Sequence, residues 1–345
     1  VLCGAQVTLS DSKPAQAFGD RLAGLEEMGV RLVLGAQPPE LLLDADVLFL
    51  SPGVPPTARI VQLAREQGMA ISSEPRLFTQ LCAAPVVGIT GSSGKTTTTT
   101  LTGQMYTADG RRAWVGGNIG QPLIERLAEE EPPDVAVMEL SSFQLELFSP
   151  TYQGEGVETR RSQASRVISL EGWSPHIAAV TNITPNHLDR HPSMEDYVRC
   201  KSYILAYQRP EDWAVLNLDD AITRGLATGT AGRVLHFSLE RPVAEGAFLR
   251  DADLVLRFGG RERVLCQRGE LKLRGKHNVA NVLCAACCAA AGDVSLEAMR
   301  AVATTFRGVA HRLEVVRVWR DVTFVNDSIA TSPERAIAAL RAYSE

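Results

Sequence analysis

The 345-residue sequence lacks any excess of basic charge: 35 Lys and Arg stand against 40 Asp and Glu, a formal net charge of −5. No global field draws nucleic acid to such a surface, so no nucleic-acid partner is expected and a polyanionic ligand must be held by a local site. Also missing is an apolar run near the roughly 18 residues of a membrane span. The first residues, VLCGAQVTLSDS, carry neither the basic nor the apolar region of a secretory signal. No membrane partner is therefore expected, and a cytoplasmic enzyme is. Aromatics are sparse at 6%, yet hydrophobic residues make up 45% and charged residues 22%, the composition of a chain that buries cores rather than a disordered one. The length argues for two or three domains.

The seven cysteines (Cys3, Cys82, Cys200, Cys266, Cys284, Cys287, Cys288) form an odd set in a chain too large to need disulfide staples, which predicts reduced thiols. The CxxC pair in CAACC has no second pair to complete a four-ligand zinc site, and its apolar, Ala-rich flanks predict a packed helix.

Short apolar strands, RLVLG and DVLFLSPG, alternate with segments such as AFGDRLAGLEEMG, predicting a small α/β domain over residues 1–80. A second cycle begins at Pro85: PVVGIT, DVAVMEL, HIAAVTNIT, WAVLNLDD and RVLHF read as buried parallel strands of a larger α/β domain over 81–308. The pieces between Gly246 and Gly275 read as antiparallel hairpins appended to that sheet. Asn278 to Gly292 and Leu296 to Phe306 read as helices. The hairpin EVVRVWRDVTFVNDS and the helix PERAIAALRAYSE, over 309–345, read as the start of a third domain, and both ends read as interior sequence. The polar stretch Gln153 to Gly172, with Arg160, Arg161 and Arg166, breaks the strand–helix rhythm and reads as a surface loop.

The strongest local pattern is a strand followed by Gly91-Ser92-Ser93-Gly94-Lys95-Thr96-Thr97. Glycines let successive N–H groups turn toward phosphate oxygens, the following helix adds its positive end, Lys95 a point charge, and a Thr hydroxyl can ligate Mg²⁺. The full phosphate-loop pattern has Gly where Ile89 stands. Mg²⁺ needs a carboxylate as well, and Glu139 follows the apolar run DVAVM, at the carboxyl end of a strand where α/β sheets hold ligands. His187 lies in an irregular loop after the strand IAAVTNI, where Pro185 and Asn186 disfavour an immediate helix. Lys201 falls on a following helix, where the bland reading is a surface lysine. Asn278 and Asn281 share one helix face, either as caps or as amides that read a base edge. Arg312 and Asp327 flank the late hairpin, where a guanidinium and a carboxylate can converge on a nucleotide.

Taken in order, GITGSSGKTT, VGGNIGQPL, MELSSFQLE, NITPNHLDRH, the Lys201 helix, GKHNVAN, AHRLE and NDSIATS resemble the Mur ligases, the ATP-dependent amide-forming enzymes of peptidoglycan precursor synthesis. ELSSFQL and GGNIG are most similar to the branch that adds D-glutamate to UDP-N-acetylmuramoyl-L-alanine. The resemblance implies a Rossmann-like N-terminal domain, a central phosphate-loop ATPase domain with a parallel sheet, and the start of a third α/β domain. It implies ATP phosphates on Gly91, Ser92, Ser93, Gly94, Lys95, Thr96 and Thr97, and adenine, phosphate and ribose contacts from Asn278, Asn281, Arg312 and Asp327. It implies two Mg²⁺ sites, the first with Thr96 and Glu139 and the second with His187, supported by a carbamylated Lys201. Lys95, His187 and Lys201 then carry the catalysis. Asn118 would contact the UDP-sugar, and Asp11, Ser12, Lys13 and Gly53 match the region that grips the uridine diphosphate. A monomer is expected.

Three departures stand out. The family's first strand and Gly-rich loop before Asp11 are absent. Ile329 stands where the motif NDSKAT has lysine, which bears on an amino-acid carboxylate contact. Most of the third domain, and with it much of the D-glutamate site, lies outside the sequence. The alternatives are a sister ligase for another amino acid, folylpolyglutamate synthase, or a non-catalytic nucleotide- or UDP-sugar-binding module.

Overall fold

The computed structural model of the chain describes residues 4–153, 169–328, 330 and 333–343. Ile329, Cys3 and most of the Gln153 to Gly172 stretch, with Arg160, Arg161 and Arg166, lie outside the described residues. The chain forms two compact units. One holds the described residues up to Ser72 together with those around Tyr152, the other Ser73–Pro150 and the described residues from Leu170 on.

In the smaller unit, β1 (Thr8–Asp11) pairs in parallel with β2 (Arg31–Leu34), Asp11 opposite Leu34. A second parallel couple joins β3 (Val47–Phe49) to β4 (Ala70–Ser72). The segment AFGDRLAGLEEMG forms only 3-10 turns and α1 (Ala23–Glu27), with no buried residue. Gly19 and Gly24 within it lower its helix propensity. By contrast, α2 (Arg59–Glu66) buries Ile60, Val61 and Ala64 as one stripe and packs on β4.

The larger unit opens with α3 (Glu74–Leu81), capped by the Ser73 hydroxyl, which accepts from the Arg76 N–H. Phe78 of α3 is buried with Val86 and Trp114, so this helix belongs to the larger unit and the division falls at Ser72/Ser73 rather than at residue 80. Seven strands form the parallel part of one sheet: β5 (Val86–Thr90), β6 (Ala113–Gly117), β7 (Val135–Glu139), β8 (Ile177–Val180), β9 (Trp213–Asn217), β10 (Arg233–Ser238) and β11 (Gly246–Arg250). Their order is β6-β7-β5-β8-β9-β10-β11. The antiparallel strands β12 (Asp253–Phe258) and β13 (Arg261–Gln267) extend it. The strand β11 is parallel to β10, with Gly246 opposite His236, and makes a hairpin only on its other side. Its consecutively buried Gly246, Ala247 and Phe248 carry the two-faced burial of a parallel strand.

Both faces of this sheet are covered, and the period-2 alternation of the strands sorts their residues between two cores. Val87, Ile89, Val137, Ala179 and Val215 pack with residues of α4 (Lys95–Ala108), α8 (Lys276–Ala291) and α9 (Leu296–Thr305). Val86, Ala136, Met138, Ala178, Val180 and Leu216 pack with residues of α3, α5 (Ser142–Glu146) and α6 (Met194–Ala206). Cys284, Cys287 and Cys288 lie fully buried in α8, where burial raises the Cys284 and Cys287 thiol pKa values well above the ordinary range. A short α7 (Ala221–Gly225) follows β9. The chain continues in the antiparallel hairpin β14 (Glu314–Trp319) and β15 (Val322–Asn326), which leaves Val316, Val318, Trp319 and Phe324 exposed, and in α10 (Pro333–Ala342). Among the described residues no helix is long and apolar enough to cross a membrane.

The connection after β5 leads past β7 to β6, while that after β8 leads to β9 on the opposite side. The carboxyl ends of β5 and β8 thus flank a topological switch point, where open α/β sheets hold their ligands.

Candidate active site

The strand register aligns the crevice. Gly117 and Ile89 both lie opposite Glu139, and Ile89 lies opposite Ala179, so β6, β7, β5 and β8 end along one edge. From β5 the chain turns through Gly91, at φ 147°, and Gly94, at φ 82°, into α4. A Cβ at Gly91 would overlap the Thr181 hydroxyl, and one at Gly94 the Asn281 amide, so both positions exclude side chains on conformational and steric grounds. The loop is fixed from β8: Asn182 accepts from the Ser93 N–H at 3.0 Å, and the Thr181 hydroxyl donates to Ser93 O at 2.6 Å. The Ser92 hydroxyl donates to Thr184 O at 2.9 Å and lies 3.1 Å from the Tyr197 hydroxyl. Sequence reasoning did not single out Thr181, Asn182 or Tyr197; the polar residues immediately after the apolar run IAAV were the available sign.

Two lysines meet on this loop. Lys95 Nζ donates to Gly91 O at 3.0 Å and Ser92 O at 3.4 Å, and Lys201 Nζ, from α6, donates to the same Gly91 O at 2.9 Å. Lys201 is 1% exposed and lies over the Tyr197 ring. Burial first, then the positive charge of Lys95, pulls its pKa well below the ordinary lysine value. It is therefore a core residue, not the surface lysine of the bland reading.

Across the crevice the buried Glu139 commits both carboxylate oxygens. Oε2 accepts from the Thr96 hydroxyl at 2.8 Å, and Oε1 from the Asn118 amide at 2.9 Å. The Asn118 N–H also donates to Glu139 O at 2.8 Å. These donors are neutral, and a buried carboxylate with neutral donors fits a cation. The hydroxyl and carboxylate oxygens are the hard ligands that Mg²⁺ takes.

His187 stands in the exposed loop after β8 at φ 54°, its ring edge-on to Phe143 with centroids 5.3 Å apart. Partial desolvation and then the charge of Lys95 hold its pKa below the ordinary histidine value. This favours the neutral, metal-ligating form.

At the start of α8, Asn278 and Asn281 are buried and joined, Asn281 Nδ2 donating to Asn278 Oδ1 at 3.1 Å. Asn281 also accepts from the Thr98 hydroxyl at 3.5 Å, which ties α8 to α4. Arg312 Nη1 donates to the Thr97 hydroxyl at 3.4 Å, and Asp327 accepts from the Leu313 N–H at 3.1 Å. Thus Lys95, Thr96, Thr97, Glu139, Lys201, Asn281 and Arg312 are linked to one loop and its helix. In the smaller unit, Asp11 accepts from the Lys13 N–H at 2.8 Å at the end of β1, Ser12 and Lys13 are exposed, and Gly53 lies in an exposed turn.

The sequence matches the model of the Mur ligase middle domain over residues 89–153 and 157–289. It is similar to the UDP-N-acetylmuramoylalanine--D-glutamate ligase of Symbiobacterium thermophilum, with 45% identity over 98% of this chain and 70% of that protein. The enzyme of the same name from Clostridium kluyveri shares 39% identity over 99% of this chain and 69% of its own length. Among solved structures, the chain shares its fold with the UDP-N-acetylmuramoylalanyl-D-glutamyl-2,6-diaminopimelate--D-alanyl-D-alanyl ligase of Acinetobacter baumannii, at a TM-score of 0.60 and 20% identity over 97% of this chain and 71% of that one. It also shares it with the UDP-N-acetylmuramate-alanine ligase of Thermotoga maritima, at a TM-score of 0.54 and 18% identity over 98% and 72%. With a matched middle domain spanning the sheet and relatives this similar along nearly its whole length, the chain belongs to the Mur ligase family.

Proposed function

We propose that this chain is an ATP-dependent amide-forming ligase of peptidoglycan synthesis that joins D-glutamate to UDP-N-acetylmuramoyl-L-alanine, releasing ADP and phosphate. The observation that carries the reading is the shared carbonyl of Gly91, on which Lys95 and Lys201 both donate beside a Thr96–Glu139 hydrogen bond. Two ammonium groups on one carbonyl repel each other. A phosphate-binding Lys95 and a Lys201 that carries no positive charge resolve the conflict.

A carboxylate is a poor acyl donor. Transfer of the ATP γ-phosphoryl group to the UDP-sugar carboxylate makes an acyl phosphate, and the neutral amine of D-glutamate then attacks its carbonyl and expels phosphate. In this chain the α4 N–H groups and Lys95 bind the triphosphate and offset its charge, and Asn278, Asn281, Arg312 and Asp327 hold the nucleoside end. Thr96 and Glu139 would hold one Mg²⁺ and His187 a second; when bound, these ions screen the carboxylate from the triphosphate and polarise the transferred group. Lys201, with its lowered pKa, is the amine that reacts with CO₂ to give a carbamate and a released proton. That converts a cation into an anionic support for the metal site. Asn118 binds the UDP-sugar.

The test is ADP release by the full gene product, supplied with UDP-N-acetylmuramoyl-L-alanine and each candidate amino acid in turn. Release that depends on both the UDP-sugar and D-glutamate is expected. Preference for another amino acid would favour a sister ligase, and nucleotide binding without ADP formation would contradict the enzymatic reading.

A further inference from the structure

Behind His187 lies a second imidazole that the mechanism does not use. His191 is 3% exposed and fully hydrogen-bonded: Nδ1 lies 2.9 Å from Asp196 Oδ2 on α6, and Nε2 lies 2.9 Å from the Ser142 hydroxyl on α5. Asp196 is held in turn by Arg199. The Ser142–His191–Asp196 order has the contacts of a hydrolytic triad, but Ser142 is 2% exposed, so no acyl group reaches its oxygen. His191, Asp196 and Cys200 also bring their ligand atoms within 4.8 Å of one another. The Cys200 thiol, however, is pushed up to about 12 by burial and then by Glu146 and Asp196, and Asp196 already pairs with Arg199, so this set holds its proton and its ion pair instead of a metal.

What the buried imidazole does is fix the loop that carries His187. The backbone N–H groups of His191 and Arg190 donate to His187 O at 2.9 Å and 3.0 Å, closing the chain around His187 while that residue sits at φ 54°, and the His191 side chain ties this turn to α5 and α6. A non-glycine residue in the left-handed region persists only where its surroundings determine it. The His191 ring stacks on Phe143, with centroids 5.3 Å and planes 12° apart, and the same Phe143 ring meets the His187 imidazole edge-on at 5.3 Å. The Arg190 guanidinium lies over Phe143 as well, 4.5 Å from its centroid. Phe143 is therefore clasped by three side chains of one loop, and His191 anchors that loop to two helices.

We infer that His191 and Phe143 are positioning residues that hold the His187 imidazole in its ligating orientation, through a stack of rings rather than by touching substrate. The inference rests on the reading of His187 as a ligand of the second divalent ion. Positioning groups of this kind change metal affinity about tenfold to a hundredfold.

The test is Mn²⁺ binding, followed by electron paramagnetic resonance in the presence of a non-hydrolysable ATP analogue, for the wild type, H187A, H191F, F143L and the double variant H187A/H191F. H191F keeps the ring but loses both hydrogen bonds, whereas F143L loses the stack but keeps them, so a folding defect in one leaves the other informative. Thermal melting identifies any such defect. We expect H191F and F143L each to weaken Mn²⁺ binding about tenfold, and H187A/H191F to bind no more weakly than H187A alone, because His191 acts only through His187. Wild-type affinity in H191F and F143L beside a weakened H187A, or a further loss in the double variant, would overturn the inference. Unchanged binding in H187A would instead overturn the ligand reading of His187, and the inference with it.

Discussion

On the β7 side of the crevice, Glu139 is 2% exposed and both its oxygens accept from neighbours on α4 and the turn after β6. On the β8 side, His187 stands exposed at positive φ and is held by ring contacts and by the anchored loop behind it. The first wall is built by hydrogen bonds on strand ends, where burial makes any unpaired polar atom costly and so fixes the geometry. The second depends on packing in a loop and is correspondingly easier to disturb. Substitutions on either wall should therefore shift the ion concentration that chemistry needs, those on the first wall by more.

Substitutions at the two lysines that meet on Gly91, between the two walls, should have the largest effect. Lys95→Ala should lower ATP-dependent phosphate release about a hundredfold to a thousandfold while leaving UDP-sugar binding nearly intact; steady-state turnover together with equilibrium binding checks both parts. Retained turnover would mean that the loop does not cradle phosphate. Lys201→Ala should be as inactive, yet partly rescued by a small added carboxylate such as formate, since what is lost is an anionic support.

Asn118→Leu gives a smaller effect, on the Glu139 wall. It removes the donor to Glu139 Oε1 and should raise the Mg²⁺ concentration for half-maximal turnover about tenfold to a hundredfold. If only the UDP-sugar KM moves, Asn118 acts on substrate alone and the two walls are less alike in purpose than the geometry suggests.

The smallest expected effect concerns stability. The pKa of Lys201 in the folded chain lies below its ordinary value of 10.5, through burial and then Lys95. Between the two values the unfolded chain holds a proton that the native one does not. Stability should therefore rise with pH across that window, and below the folded value the penalty is present in full. Urea midpoints measured from neutral pH to about pH 9 should climb for the wild type and flatten for Lys201→Met; equal slopes would show that Lys201 keeps its charge.

The sheet and its ligand edge are legible wherever a strand is buried on both faces. PVVGIT and DVAVMEL announce themselves by continuous apolar runs, and Glu139 by ending one. The orientation of β11 is not legible, because its short run suits a hairpin as well as a parallel edge. Segment AFGDRLAGLEEMG forms a 3-10 turn from Gly19 and then only the short α1, which contains Gly24. At the site, glycines and charge mark the phosphate loop. The residues that steady it, Thr181 and Asn182, carry no distinguishing type, since their role comes from hydrogen bonds between elements far apart in sequence. His191 lies within NITPNHLDRH, but nothing in the string separates the imidazole at the crevice from the one buried behind it.

In the proposed reaction Lys201, which shares the Gly91 carbonyl with Lys95, enters as a neutral amine and leaves its positive charge behind. Carbon-13 NMR of the protein equilibrated with ¹³C-labelled bicarbonate tests this directly. A carbamate resonance present in the wild type and lost in Lys201→Ala is the predicted result; a spectrum with no carbamate at any pH where the protein is folded would contradict it.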